Sequence, residues 1–331
     1  MNYYLGIDQG GTKTAAIVCD SDGNILGAGA DGGLAGVYYS DADELYLKRI
    51  AAATDAACGA AGIPPGSVAA ACGGMNGADW DFEYPILREK LSRALRLADV
   101  TVLNDCVAAM RGGSANPECA VVCAGSGMNV AVRGADGREI VYGYYIDGSH
   151  QGAGALGKAA FRKAVEADMG LCGVTALTEA ILSHTGYDSA EALMIDVTMG
   201  RYAPVYKEFA PTLLRAYAAG DGEARDVVEA FSRGAAVYVV AGMKRLGLSG
   251  KPLDAVFSGG VFKGAGMLAA DRIFEIIAMS EPGARKIHAR YEPVCGAALT
   301  LLDRHYGGRT PARVNEAFDA SAAAFGLLRN P

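Results

Sequence analysis

Two aspartates, Asp8 and Asp105, each follow an apolar run that predicts a β-strand, at the point where the strand ends. A carboxylate in such a place is costly unless it faces a cation, water or N–H donors. Asp8 precedes a glycine-rich turn, so it either stabilises that turn or holds Mg²⁺ through water beside phosphate oxygens. Asp105 is either a helix N-cap or a general base for an attacking hydroxyl, since ligands bind beyond strand carboxyl ends in open α/β sheets.

The glycine-rich turn after Asp8 recurs after residue 124, and each copy lies between two apolar runs. Each hairpin is closed by a tight turn, Asp22-Gly23-Asn24 in the first and Asp136-Gly137 in the second, which is a strong hairpin signal. Backbone N–H groups with few Cβ atoms around them form an anion-binding concavity. The duplicated loop therefore predicts binding of nucleotide phosphates by Gly10, Gly11, Thr12, Lys13, Gly125, Ser126 and Gly127.

Two better-known phosphate loops are excluded by residue order. A Walker A loop requires Gly-Lys-Ser/Thr followed by a helix, whereas here Thr12 precedes Lys13 and a strand-like run follows. The dinucleotide fingerprint requires a third glycine where this chain has Val130. The prediction of phosphate binding therefore rests on the duplication of the loop more than on either loop alone.

Composition limits the class of protein. The 331 residues are 51% apolar and 20% charged, which is ordinary for a globular chain that can hold two domains. The net charge of −7, with no basic stripe, argues against a nucleic-acid partner. The sequence has no apolar run long enough to span a bilayer and no signal pattern, so we expect a cytoplasmic protein without a membrane partner. The eight cysteines form no Cys-x-x-Cys pair, which favours buried thiols over a metal or disulfide framework.

Apolar periodicity predicts an α/β chain whose first part alternates strands and helices. Ser40 is expected to cap the first helix, residues 111–117 are the best linker, and residues 152–246 are predicted to be nearly all helical. A strand, a helix, a second strand and a final helix from Cys295 should follow, with the alanine-rich tail as a closing helix. The first part is predicted to contain strands at 3–7, 14–19, 25–28, 68–72 and 100–103 and helices at 43–61 and 82–97.

Five segments occur in an order that resembles the BadF/BadG/BcrA/BcrD ATPase family, which includes N-acetylglucosamine kinases: 6–14, 104–105, 124–129, 257–262 and 293–298. The resemblance implies an α/β, two-lobed, actin-like ATPase fold (ribonuclease H-like) with a duplicated core that closes over ATP–Mg²⁺. We expect residues 1–112 to form the first lobe and 113–306 the nucleotide-binding lobe with its helical insertion. The tail from about 307 to 331 is expected to pack back on the first lobe.

The same resemblance implies roles for individual residues. It assigns the two glycine loops to phosphates, Gly259 and Gly260 to the adenosine, and Asp105 to base catalysis. The expected activity is transfer of the γ-phosphate of ATP to a hydroxyl of a sugar or amino sugar, with a homodimer as a further expectation. The residues expected to contact the sugar are Asn76, Asn104, Asn129, Asp147, His150 and Gln151.

The chain departs from the family pattern at the sugar. Relatives carry Gly-Asp-Glu/Gln-Gly-Ser where this chain has Ser149-His150-Gln151-Gly152-Ala153, and Gly36 replaces a polar residue after the third strand. N-acetylglucosamine is therefore expected to be a poor substrate. Two other functions stay open: an ATPase that activates a dehydratase through an iron–sulfur cluster, for which Cys123 and Cys172 are the only remotely suitable pair, and a catalytically silent sugar-binding protein.

Overall fold

The computed structural model describes residues 2–34 and 42–329, with the side chains of 42–44 left aside. The predicted cap Ser40 and the departure at Gly36 lie outside these residues. The strands are β1 (Tyr3–Gln9), β2 (Lys13–Asp20), β3 (Ile25–Gly32), β4 (Val68–Met75), β5 (Val100–Asn104), β6 (Cys119–Ala124), β7 (Met128–Arg133), β8 (Glu139–Val141), β9 (Leu253–Ser258) and β10 (Ala284–His288). The helices are α1 (Ala42–Ala61), α2 (Glu83–Leu95), α3 (Asp105–Gly113), α4 (Gly152–Asp168), α5 (Ala176–Thr185), α6 (Ala190–Thr198), α7 (Ala210–Ala218), α8 (Gly222–Arg245), α9 (Met267–Ser280), α10 (Pro293–His305) and α11 (Ala312–Ala324).

The strands form two five-stranded sheets, in the orders β3-β2-β1-β4-β5 and β10-β9-β6-β7-β8. In the first sheet β2 and β3 run antiparallel to their neighbours, while β1, β4 and β5 are parallel. The carboxyl ends of these three parallel strands therefore meet at one edge of the sheet. Asp8 pairs with Gly74 and Met75 with Asn104 in this register, which places the predicted acidic residues at that edge.

Alternation along β1 and β2 divides the first sheet between two apolar cores. Leu5 and Ile7 point to one face, where they pack with Ile50 of α1 and Leu87 of α2. On the opposite face, one core cluster brings residues of β1 and β2 together with α10 and α11, including Tyr4, Ile17, Leu299 and Phe318. Helices on both faces explain why the strands read as nearly continuous apolar runs in the sequence.

The described residues divide into two compact units. The first comprises 2–34, 42–121, 133–141 and 287–329, and holds the first sheet with α1–α3, α10 and α11. The second comprises 122–132 and 142–286, and holds helices α4–α9 with the central strands of the second sheet. The alanine-rich tail forms α11, whose Val314 and Phe318 are buried in the first unit.

The predicted strands and helices of the first part are present, most of them slightly longer than expected, and both hairpins form. The prediction of a linker at residues 111–117 was wrong at its start, because α3 continues to Gly113 and Ser114 is its C-cap. Arg111 is buried and donates to both oxygens of Asp303, so the segment is packed rather than extended. Among the described residues, no helix is long and apolar enough to cross a membrane.

Candidate active site

Asp8 is the penultimate residue of β1 and is partly exposed beside the first glycine loop. Burial by the surrounding protein raises the pKa of Asp8 to about 8; repulsion from Asp105 and Glu292 adds to the rise, and Arg329 and Lys13 oppose it. Its carboxylate has no hydrogen-bond or ion-pair partner within the part of the chain that the structure describes. A carboxylate crowded by others and unpaired is one that a cation would stabilise, so Asp8 fits a magnesium site.

The protein around Asp8 provides few further metal ligands. No group of three or more His, Cys, Asp or Glu side chains within residues 2–34 and 42–329 could hold a metal ion. Mg²⁺ keeps several waters and binds one or two carboxylates together with substrate phosphates, so a single carboxylate suffices. Asp8 therefore suits a metal that arrives with a nucleotide rather than a permanently caged ion.

Asp105 is the first residue of α3, directly beyond the carboxyl end of β5. It is partly exposed, and its Oδ1 accepts the N–H of Cys106 at 2.8 Å. Burial raises the pKa of Asp105 to about 6; repulsion from Asp79 adds to this, and the hydrogen bond from Cys106 opposes it. A carboxyl with a pKa near 6 is ionised at neutral pH and basic enough to accept a proton from a hydroxyl.

Asn104 organises the residues around Asp105. Its side chain is fully buried: Oδ1 accepts the N–H of Cys106 at 2.9 Å as the N-cap of α3, and Nδ2 donates to the Ala78 carbonyl at 3.0 Å and to Asp79 Oδ1 at 2.8 Å. Three of its hydrogen-bonding positions are thus used within the protein. These hydrogen bonds join the Asn104 amide to α3 and to the turn after β4, and its predicted contact with the sugar stays a prediction.

Sequence reasoning missed two acidic residues near Asn104: Asp79 in the turn after β4 and Glu83 at the start of α2. Glu83, buried at the start of α2, accepts the N–H groups of Asp79 and Trp80 at 2.9 Å each. This fixes Asp79 beside Asn104 and within electrostatic reach of Asp105. The available signal was Glu83 at the start of the predicted helix, because acidic residues are enriched in the first turn of helices. Asn76, a predicted sugar contact, is half-buried in the same turn, where its N–H donates to the Gln9 carbonyl at 3.0 Å.

The first glycine loop is fixed by its carbonyl groups. The Gly10 N–H donates to the Lys13 carbonyl at 2.9 Å, and the Gly10 and Thr12 carbonyls accept the N–H groups of Leu34 and Gly33 at 3.2 and 3.0 Å. Gly11, Thr12 and Lys13 are exposed. The N–H groups of Gly11 and Thr12 have no partner among the described residues, so the loop fits an anionic ligand.

The second glycine loop lies against the start of α4. The Gly125 and Ser126 carbonyls accept the N–H groups of Ala153 and Gly154 at 2.8 and 3.3 Å. Because the C=O and N–H of one planar peptide unit point in opposite directions, the N–H groups of Ser126 and Gly127 point away from the helix. Both are without partners in the described part of the chain, which again fits a phosphate.

Gly152 allows this close contact between loop and helix. Its φ is +59°, and a Cβ at this position would lie 2.3 Å from the Gly127 carbonyl oxygen. Only glycine combines this conformation with such an approach. Gly152 lies in the segment 149–153, where the chain departs from the family pattern, and the geometry of the loop requires a glycine at this position.

The remaining predicted contacts also lie in the second unit. Asn129 is half-buried in β7, and Asp147 is exposed, with its pKa lowered by hydrogen bonds from the Ser149 hydroxyl and N–H. Gly259, with φ +111°, and exposed Gly260 follow β9, the strand beside β6. A Cβ on Gly260 would meet no protein atom within 4 Å, so the predicted adenosine site is open there.

The structure thus groups the predicted residues in two sets, one in each unit. The first set lies at the carboxyl edge of the first sheet and comprises Asp8, Gly10, Gly11, Thr12, Lys13, Asn76, Asn104 and Asp105. The second lies around the loops after β6 and β9 and the start of α4 and comprises Gly125, Ser126, Gly127, Asn129, Asp147, His150, Gln151, Gly259 and Gly260.

Residues 5–300 match the model of the BadF/BadG/BcrA/BcrD ATPase family. The chain belongs to this family. The resemblance found in the sequence is therefore confirmed over most of the chain's length. No curated protein matches the sequence.

Solved structures support the fold. A candidate N-acetylglucosamine kinase from Chromobacterium violaceum is 21% identical, with a TM-score of 0.66, over 91% of this chain and 99% of its own. A ROK family glucokinase from Streptomyces griseus, in complex with glucose and AMPPNP, is 21% identical, with a TM-score of 0.60, over 90% and 98%. A ROK hexokinase from Thermus thermophilus is 22% identical, with a TM-score of 0.55, over 92% and 100%. The predicted actin-like α/β ATPase fold is confirmed.

Proposed function

We propose that the protein is an ATP-dependent kinase that transfers the γ-phosphoryl group to a hydroxyl of a sugar or sugar-like alcohol. The observation that carries this proposal is Asp105: a partly exposed carboxyl at a strand's carboxyl end, with a pKa of about 6, in a family of ATPases. Glucose and AMPPNP in the similar glucokinase support the choice of substrates.

In the proposed reaction, Asp105 accepts the proton of the acceptor hydroxyl as its oxygen attacks the γ-phosphorus. The bond from that phosphorus to the β,γ-bridging oxygen breaks, and ADP leaves. The N–H of Cys106 holds the Asp105 carboxylate, and Asn104 caps the helix that Asp105 begins. Burial, with repulsion from Asp79, keeps Asp105 basic. The partnerless N–H groups of Gly11 and Thr12, in the same unit as Asp105, bind phosphate oxygens, which stabilises the charge of the transferring group.

Asp8 would hold the magnesium ion that accompanies ATP. The bound metal would supply positive charge that offsets the negative charge developing on the phosphates. Asp8 lies at the end of β1, beside Gly10 and Gly11, so the same strand would hold both the carboxylate ligand of the metal and the phosphate loop, and a bound cation would favour the ionised form of Asp8.

The acceptor is proposed to be a small polyhydroxylated compound other than N-acetylglucosamine. The family's acidic residue is His150 here, so a polar contact to an acetamido sugar is missing. A site built for a particular hydroxyl pattern rejects analogues by up to roughly 10⁴-fold.

The test is an ADP-release assay over amino sugars, hexoses and polyols, with ATP and Mg²⁺ present. We expect acceptor-dependent release with at least one hexose or polyol, and far less with N-acetylglucosamine. Efficient turnover of N-acetylglucosamine would contradict the proposed specificity. Release that no acceptor stimulates would contradict the kinase itself.

A further inference from the structure

The segment 147–152, which we name the bracket, joins the second glycine loop to helix α8. It begins with Asp147, whose Oδ1 accepts the N–H of Ser149 at 2.9 Å and its hydroxyl at 2.5 Å. It ends with Gly152, which lies against the Gly127 carbonyl. Between these ends lie His150 and Gln151, the two residues at which the family pattern predicts sugar contacts.

Gln151 uses both ends of its amide on the backbone of its own unit. Its Oε1 accepts the N–H of Met128, the residue that directly follows the glycine loop, at 3.2 Å. Its Nε2 donates to the carbonyl of Ile146 at 3.0 Å. A side chain held at both ends in this way fixes the carboxyl end of the loop relative to the bracket.

His150 fixes the bracket to α8. Its ring lies against Gly234, where a Cβ would be 2.0 Å from Cδ2 and 2.3 Å from Nε2. Its Nδ1 shares a hydrogen bond of 3.1 Å with the Ser149 hydroxyl. Only the absence of a side chain at residue 234 leaves room for the imidazole on the surface of the helix.

We propose that Gln151 and His150 are positioning residues for the Gly125–Gly127 loop, and that they determine nucleotide affinity instead of recognising the sugar. Gln151 holds the loop directly, and His150 holds the bracket through its contact with Gly234. This inference rests on the proposed function in one respect, that the loop binds the phosphates of a nucleotide.

The first test measures the Kd of AMP-PNP with Mg²⁺ by calorimetry for the full-length wild type and Gln151→Met. Methionine keeps the length of the side chain but removes both hydrogen bonds, and we expect binding to weaken by on the order of tenfold. Lys158→Met is the matched control, because Lys158 is exposed on α4 and we expect its Kd to equal that of the wild type. Equal melting temperatures of the three proteins will separate repositioning of the loop from loss of the fold.

The second test uses the contact between His150 and Gly234. Gly234→Ala places a methyl group where the imidazole lies, so it should weaken AMP-PNP binding although alanine favours the helix. In the double variant with His150→Ala the clash is gone, and we expect a Kd no weaker than that of His150→Ala alone. Additive losses would contradict the proposed contact.

The outcomes separate this inference from the proposed function. If Gln151→Met binds AMP-PNP as tightly as the wild type, or raises only the KM of the acceptor in the ADP-release assay, the positioning role is overturned and the kinase proposal stands. If the wild type itself does not bind AMP-PNP, the nucleotide site is overturned and both proposals fail.

Discussion

The two glycine loops of this protein share a hairpin design but lie in different chemical surroundings. Beside the first loop, Asp8 has no partner among the described residues, and burial keeps the pKa values of Asp8 and Asp105 high. Beside the second, Gln151 is tied to the backbone at both ends and Asp147 to Ser149. The two loops, both proposed to bind phosphates, thus lie beside acidic groups with raised pKa values in one unit and beside hydrogen-bonded side chains in the other.

We infer from this difference that the two units have different roles in the proposed kinase. Unpaired or desolvated charges are retained where a ligand or a proton will compensate them, whereas satisfied polar groups make a binding surface rigid. If so, variants of the first unit should change turnover and metal dependence, and variants of the second should change nucleotide affinity.

The largest effect is expected for Asp105→Asn. Asparagine keeps the shape of the side chain but cannot accept the proton, so kcat should fall by roughly 10²–10⁴-fold while AMP-PNP binding is unchanged. Steady-state kinetics and calorimetry on the same preparation check both parts. Turnover like that of the wild type would remove Asp105 from the mechanism.

A smaller loss is expected for Asp8→Ala. Removing a carboxylate that acts on the metal through water should weaken Mg²⁺-dependent turnover by roughly 10–100-fold. Nucleotide binding measured in EDTA should change little, because the loop N–H groups are intact. Asp226→Ala, an exposed position on α8, is the control. Equal loss with and without metal would mean that Asp8 mainly shapes the loop.

The pH dependence tests the surroundings of Asp105. Its pKa is raised from 3.8 to about 6, so the ionised base is present above pH 6 and is lost as the pH falls through this value. The kcat at saturating substrates should therefore show an acid limb near pH 6, with about a tenth of the plateau rate one pH unit below. An acid limb near pH 4 would contradict the raised pKa.

The smallest effect is expected for Gly260→Ala in the second unit. The added methyl group meets no protein atom within 4 Å, so the melting temperature should stay the same. If the adenosine lies there, AMP-PNP binding should weaken about fivefold, at the low end of what an overpacked contact costs. Unchanged affinity would mean that the adenosine does not contact Gly260.

The sequence predicts the elements of the first unit well because apolar alternation and Asp-Gly turns are local signals. It also places Asp8 and Asp105 correctly at strand ends, since each follows its strand directly. The start of the linker at residues 111–117 was mispredicted because glycine and serine there suggest an exposed turn, whereas the ion pair between Arg111 and Asp303 depends on a residue far along the chain.

The hydrogen-bond partners of side chains in the candidate site likewise cannot be predicted from sequence patterns. A family motif marks Gln151 and His150, but the direction of each side chain depends on Ile146, Met128 and Gly234, which no local spacing reveals. The hydrogen bond from Asn104 to Asp79 also joins the end of β5 to the turn after β4, which are far apart in the sequence. Sequence therefore identifies the residues of the site more readily than their roles.

The most direct test of the central claim is to follow the γ-phosphorus of ATP by ³¹P NMR in the presence of Mg²⁺ and the best acceptor from the screen. We predict a new phosphomonoester signal that grows in step with ADP, and that Asp105→Asn suppresses. Release of inorganic phosphate at the same rate with and without acceptor, and no phosphomonoester, would contradict phosphoryl transfer and identify an ATPase instead.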